Sequence, residues 1–475
     1  MAQDRLDWTV APTLGWAVVA LGAALVALDG NLGAVLGRLA DRGVGEAPDP
    51  EAAGVGPGFL ARDEGPDETP PLPPRVAGVG TGGAAPATAA VKTPIDDVCV
   101  EPAGGGCARW AMDGFYAALA ATDGGQAKAP VRVAWYGDSV SATDQVPGRV
   151  RARLQDVHGD GGAGFVHAAL PHRFMENGAI QRTNTGSWLA YGVSTVPIAD
   201  DLYGLGGSTA EATGPGNRVR LRPHTPSGKV AHYDVYYLAQ PHGGTAEVVV
   251  DGAVAATLDT AADAKAARFE RIDVADGAHT FELRVTAGRV RLFGVALERD
   301  QGAVVDNLAL VSASAQTLLH IQLDHWKAQL AHRAPDLVVI MLGSNESKWL
   351  VPGRKAMADY QAVFERLLAP IRAARPEASC LVVAPLDQAE VVAGALAPRS
   401  LIPAMVDTQR RAAQAQGCAF WDAFAWMGGK GSAIRWNRRG LLSEDFHHLS
   451  ARGSAMIADG LVDALLAGYG GFRSR

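Results

Sequence analysis

Three short segments carry side chains whose types and spacing suit nucleophilic catalysis. In Gly137-Asp138-Ser139 a serine directly follows a β-rich run and precedes a helical stretch. A strand's C-terminal end opening into a helix is where open α/β sheets place ligands. There the Ser139 hydroxyl can project into a cleft, with its own N–H beside the helix's positive end. On its own the tripeptide reads more simply as an N-cap serine. A serine nucleophile also needs an imidazole base within hydrogen-bond reach, and a partner that fixes the imidazole's tautomer. Asp445-Phe446-His447-His448 offers both: Asp445 and His448 stand three apart, which in one helical turn brings them to the same face. Adjacent histidines point differently on any backbone, so this spacing selects His448 over His447. The bland alternative is a solvated carboxylate beside a surface histidine. Gly343-Ser344-Asn345-Glu346 ends the apolar run Leu337–Leu342. From there the Asn345 side-chain amide could aim at an oxyanion, or serve only a turn. Glu346 fits a supporting or substrate-contacting group better than an acid catalyst.

These segments need a scaffold, and the composition allows one. The chain has 475 residues, 48% of them hydrophobic and 20% charged. That is enough for two or three domains and at least one large core. A net charge of −7 gives no counterion-release footprint, which argues against a nucleic-acid partner. Runs such as VRVAWY, NLALVS, LVVIML, Leu381–Leu386 and Ala419–Phe424 read as strands. Between them, Val146, Val150, Leu154 and Val157, then Leu319, Leu323, Trp326 and Leu330, recur at helical spacing. Strands alternating with helices predict a parallel sheet covered on both faces. From about Val219 to Asp300 the rhythm changes to short β-rich runs with turn signals at Asp251-Gly252 and Asp276-Gly277. This stretch predicts an inserted antiparallel β-sandwich of jelly-roll type.

Together, the three catalytic segments resemble the SGNH (GDSL-type) hydrolase superfamily, in its expected order. The similarity is closer to a bacterial branch that includes peptidoglycan O-acetylesterases and carries a β-sandwich inserted after the first block. WYGDS, GDGGAGFV, FGVALERDQGAVVDNLAL, PDLVVIMLGSNES and WMGGKGS ahead of DFHH carry the resemblance, across roughly Val131 to Tyr469. It implies a flavodoxin-like three-layer fold and an esterase acting on acetylated envelope glycan without metal or cofactor. It further implies Ser139 as nucleophile, Asp445 and His448 as its partners, and Asn345 as an oxyanion donor. The family's second block supplies a glycine N–H to the oxyanion hole, and here the sequence departs. Ser312 stands 33 residues before Asn345, about one βα unit of ~30 residues. Gly207 stands 138 residues before it. The second donor is therefore assigned to Ser312, a backbone N–H that serine can supply if its φ/ψ permits. Gly207 is the runner-up, and Gly207→Ala is expected to be nearly silent toward a small ester.

The expected domain order is an N-terminal anchor region over 1–42, spanning at 8–28, then a tether over 43–97. The hydrolase domain follows over 98–205 and 301–475, with the sandwich at 206–300. Trp8 to Leu28 is an uncharged run of 21 residues, long enough to cross a bilayer. The Gly43–Asp97 stretch holds 10 Gly and 10 Pro and one aromatic, Phe59, too little apolar surface to offset ordering entropy. Cys99 and Cys107 suit a small disulfide in an exported chain, whereas Cys380 and Cys418 read as separate buried residues. The combined expectation is a membrane-anchored, extracytoplasmic carbohydrate O-acetylesterase. An acyltransferase on the same fold and a non-catalytic glycan-binding protein are the alternatives.

Overall fold

The computed structural model of the protein describes residues 93–223, 228–350 and 357–475. The expected membrane run and most of the expected tether lie outside them. The tether's last residues lie inside: Ile95–Asp96 pairs antiparallel with Ala419–Trp421 at the edge of the central sheet. That sheet has six strands in the order Ile95–Asp96, Ala419–Trp421, Ser379–Val383, Leu337–Met341, Val131–Gly137 and Ala303–Asn307. Apart from the Ile95–Asp96 edge, all neighbours are parallel. Every residue of Leu337–Met341 and Ser379–Val383 is buried, as apolar strands covered on both faces must be. Helices Asp113–Asp123, Gln145–His158 and Ala451–Arg473 pack together, as do Leu323–Arg333, Met357–Ala374 and Ile402–Ala415. The helical stripes hold except at their ends, where Val157 and Leu323 are 54% and 47% exposed.

Strand order fixes where a ligand can sit. Val131–Gly137 is first in the parallel set, with the second strand, Ala303–Asn307, on one side and the third, Leu337–Met341, on the other. The order reverses there, opening a crevice beyond the strand ends. Ser139 and Asn345 follow the two strands that border it. The strand ahead of Ser312 is Ala303–Asn307, and NLALVS is largely the loop leaving it. The Leu308 and Leu310 N–H groups still donate to the Trp135 and Gly137 carbonyls, at 2.8 and 3.0 Å.

The β-rich middle forms two antiparallel sheets. One runs Ala266–Gly277, Val230–Ala239, Arg289–Glu298, Ser208–Thr213, Leu189–Gly192; the other runs Ala253–Asp259, Thr245–Val250, Phe281–Ala287, Arg218–Pro223, Ile180–Thr185. Alternating inward residues such as Val219, Leu221, Leu283 and Val285 give them a core of their own. Gly162–His167 also pairs with Arg289–Glu298. Strands therefore enter these sheets from 162–192, ahead of the expected start at 206. Ile180–Thr185 has only Ile180 buried, so no alternating pattern marks it. Asp251-Gly252 forms the expected two-residue turn with φ of 50° and 85°; Asp276-Gly277 instead ends the long strand Ala266–Gly277. Buried ion pairs join sandwich to core: Arg333 meets Glu298 at 2.6 Å and Asp306 at 2.7 Å.

Cys99 and Cys107 are bridged, with Cα atoms 5.7 Å apart. Cys380 and Cys418 are bridged as well, at a Cα separation of 4.7 Å, which corrects the reading of two separate buried cysteines. They meet because Ser379–Val383 and Ala419–Trp421 are neighbours, with Leu381 opposite Ala419. The bridge closes a loop with a sequence separation of 38. Replacing both by serine is expected to cost about 4 kcal/mol, the loop-closure entropy returned to the unfolded chain. Urea unfolding checks this, and an unchanged midpoint refutes it.

Candidate active site

Ser139 begins the short helix Ser139–Ala142, capped by Asp138. Asp138 is buried, and burial pushes its carboxyl up against the pull of its donors. Its two oxygens accept the Val140 N–H at 3.0 Å and the Ser344 N–H at 3.2 Å. One side chain thus ties the Ser139 turn to the loop after Leu337–Met341. That loop needs Gly343, whose φ is 127° and whose added Cβ would lie 2.9 Å from Pro385 Cβ.

Ser139 Oγ lies 2.9 Å from His448 Nε2, and His448 Nδ1 lies 2.6 Å from Asp445 Oδ2. The Asp445–His448 spacing works, but not through the expected helical turn. Asp445 stands in a tight turn with Phe446 at φ 57°. Its Oδ1 accepts the backbone N–H groups of His447 and His448, both at 2.9 Å, and the Ser443 hydroxyl at 2.7 Å. Burial works against the Asp445 charge, yet the hydrogen bonds, led by that from His448, hold its carboxyl below the usual range. Asp445 stays ionised and so can orient and stabilise an imidazolium. The His447 ring is buried edge-on against His448, with centroids 4.4 Å apart. Neither of its nitrogens has a partner among the described residues. Burial, then the neighbouring His448 and Lys348, push its pKa well below the ordinary value, so it is neutral.

Ser312 has φ 62°, the left-handed region that a glycine usually occupies. Its N–H and that of Ser139 donate to no acceptor among the described residues. The Val311 carbonyl, on the same peptide as the Ser312 N–H, accepts the Ser194 hydroxyl at 2.7 Å. In a trans peptide the N–H points opposite to the carbonyl, so Ser194 sets its direction. Asn345 Nδ2 donates to the Ala313 carbonyl at 2.8 Å, which holds the amide and leaves its second hydrogen available. Gly207 differs: its N–H is spent on the Gly204 carbonyl at 2.9 Å. Its φ is 72°, and an added Cβ would lie 2.9 Å from Leu310 Cδ1. An alanine there would carry the strain of a positive φ and press on the Leu310 side chain, so Gly207→Ala should cost stability. Nothing in the sequence marks Ser194 or Ser443: Ser194 acts on a carbonyl of a distant segment, and Ser443 acts within the Asp445 turn itself.

Glu346 is buried, 1% exposed. Its Oε1 accepts the Ala315 N–H at 2.8 Å, tying the Ser312 loop to the strand end. Burial pushes its carboxyl from 4.5 up to about 7. Because the folded value is raised, Glu346 favours the folded state fully below pH 4.5 and loses that contribution as pH rises through 7. Glu346→Gln removes the titration. Wild-type stability is expected to fall relative to this variant by on the order of 3 kcal/mol between acid and mildly alkaline pH. Thermal melts across pH 5 to 8 check it; parallel curves would refute it.

Among the described residues no cluster of three or more His, Cys, Asp or Glu could hold a metal ion. Residues 274–456 match the model of the GDSL-like Lipase/Acylhydrolase family, a span that holds Ser312, Asn345, Asp445 and His448 and stops short of Ser139. The chain is similar in structure to a peptidoglycan O-acetylesterase: TM-score 0.63, 23% identity, over 76% of this chain and 97% of that one. A family two carbohydrate esterase from Clostridium thermocellum, solved with cellohexaose, aligns at TM-score 0.23 and 12% identity over 60% of this chain and 100% of that one. An acetylxylan esterase from Geobacillus stearothermophilus aligns at TM-score 0.26 and 18% identity over 34% of this chain and 73% of its own. The first of these likenesses shares the α/β fold described above. No curated protein matches the sequence.

Proposed function

We propose that this chain, whose residues 274–456 match the GDSL-like Lipase/Acylhydrolase model and whose fold is that of a peptidoglycan O-acetylesterase, is a serine esterase that removes O-acetyl groups from cell-envelope glycan. The observation that carries this reading is the unbroken Ser139–His448–Asp445 hydrogen-bond chain at the point where the strand order reverses. Ser139 Oγ attacks the acetyl carbonyl while His448 Nε2 takes its proton. The resulting oxyanion is held by the N–H groups of Ser139 and Ser312 and by Asn345 Nδ2. Collapse expels the sugar oxygen, which receives the proton from His448 and leaves as a hydroxyl. Water, activated by the same imidazole, then attacks the acetyl-serine, releasing acetate and restoring Ser139. The substrate class is supported by the peptidoglycan O-acetylesterase of the same fold.

An extracytoplasmic location fits this substrate and the two disulfides, which persist in oxidising compartments. The apolar run from Trp8 to Leu28 would serve as the anchor.

The test is acetate release from acetylated peptidoglycan, acetylated xylan and an aryl acetate, by the wild type and by Ser139→Ala. The reading predicts release from at least one acetylated glycan, abolished in the variant. Release unchanged in Ser139→Ala overturns the mechanism. Acetate transfer to an added sugar without release to water marks an acyltransferase instead.

A further inference from the structure

The sandwich sheet that ends in Arg218–Pro223 and Ile180–Thr185 has a face with no part in the chemistry above. Period-2 alternation sends Val219 and Leu221 inward, each 1% exposed, and Arg218, Arg220 and Arg222 outward. Residues two apart on a strand are separated by roughly 6.7 Å, so this row spans about 13 Å. Register sets Glu282 opposite Arg220 and Arg284 opposite Arg218 on one neighbouring strand. On the other, Thr183 lies opposite Arg220 and Gln181 opposite Arg222. Between them runs an open groove of about 400 Å³, lined by Gln181, Thr183, Arg220, Arg222, Glu282 and Arg284. No residue of the Ser139 site lines it.

Charge in the groove is one-sided although the chain carries −7 overall. Glu282, its side chain only 8% exposed, accepts the Nε–H groups of both Arg220 and Arg284 and lies 3.6 Å from Arg218. One carboxylate thus orients two guanidinium groups through Nε alone, which leaves the Nη donors of Arg220 and Arg284 free for a ligand, while Arg218 faces the carboxylate through Nη1. Arg222 pairs with no carboxylate among the described residues. Phe281, the aromatic side chain at the groove, is 1% exposed, so stacking on a neutral sugar ring cannot carry binding and charge must.

We propose that this groove binds the carboxylates of an acidic glycan chain through Arg220, Arg222 and Arg284, holding a polymer on the sandwich while its esters are presented elsewhere. The inference rests on the glycan-esterase reading and narrows it to substrates with anionic sugars. Guanidinium groups take carboxylates through paired N–H···O bonds, and the Gln181 and Thr183 side chains add neutral polar contacts suited to sugar hydroxyls.

Calorimetric titration of the full chain with non-acetylated oligogalacturonate, a neutral xylo-oligosaccharide and inorganic polyphosphate tests this. No ester is involved, so the outcome is separate from the fate of the Ser139 mechanism, which acetate release decides. Oligogalacturonate is expected to bind, more weakly as salt rises from about 0.05 to 0.5 M. Arg220→Ala with Arg222→Ala should weaken it about tenfold or more. Arg271→Ala, an exposed arginine on the other sheet, should leave it unchanged. Should the double variant lose its circular dichroism spectrum, Arg222→Glu, at the unpaired position, carries the same test. Binding of the neutral oligomer equal to that of oligogalacturonate, tighter binding of polyphosphate, or full affinity in the arginine variants would each overturn the proposal.

Discussion

Ser139→Ala and His448→Ala are each expected to lower ester hydrolysis by about 10³-fold or more, because nucleophile and base act as a unit. Ser139 Oγ sits 2.9 Å from His448 Nε2, so either change removes the same proton transfer. Asp445→Asn should lose up to about 10⁴-fold by favouring the wrong imidazole tautomer. The geometry makes that loss large here, because Asp445 Oδ2 is 2.6 Å from Nδ1 and so sets which ring nitrogen carries the hydrogen. His447→Ala is the control. Its ring packs against His448 without reaching Ser139, so its loss should fall well short of that in His448→Ala. Initial rates on an aryl acetate measure all four, and a larger loss in His447→Ala than in His448→Ala would identify the wrong base.

Asn345→Ala is expected to reduce turnover by roughly 10²–10³, the usual cost of one oxyanion donor, and Ser312→Pro should abolish it. Proline has no N–H and holds φ near −65°, whereas Ser312 needs 62°. Ser312→Gly keeps the donor and suits the positive φ, so it should retain most activity. Ser312→Ala keeps the donor at a backbone cost of about 1–2 kcal/mol in the left-handed region, so its loss should appear in stability more than in kcat. Ser194→Ala frees the Val311 carbonyl and should lower kcat about tenfold with KM held, since loss of orientation acts on the transition state. Equal activity in Ser312→Pro, with the fold verified, would remove Ser312 from the oxyanion hole.

The placement of the candidate site was legible where it depends on local pattern. A serine at one strand end, an asparagine at another and an Asp-x-x-His pair stand out by residue type and order, and the fold brings Ser139, His448 and Asp445 within hydrogen-bond distance. The parallel sheet follows from apolar runs such as Leu337–Leu342, and the sandwich from short β-rich runs separated by turn signals such as Asp251-Gly252. Ile180–Thr185 carries no such signal, because one buried residue in six leaves no period to read.

What tertiary structure alone decided concerns pairings between distant segments and the directions of backbone groups. Cys380 and Cys418 meet because two strands are neighbours, and sheet order is not written in either strand. Asp445 reaches His448 through a turn with Phe446 at positive φ, a backbone state that residue spacing does not encode. Ser312 and Gly207 illustrate the same limit. Both have positive φ, and sequence distance alone favours Ser312. Only the folded chain shows that the Gly207 N–H is spent within its own turn, while the Ser312 N–H is freed and aimed by a serine more than a hundred residues earlier. A backbone donor's availability depends on what its peptide's other side is bonded to, and that partner is chosen by the fold.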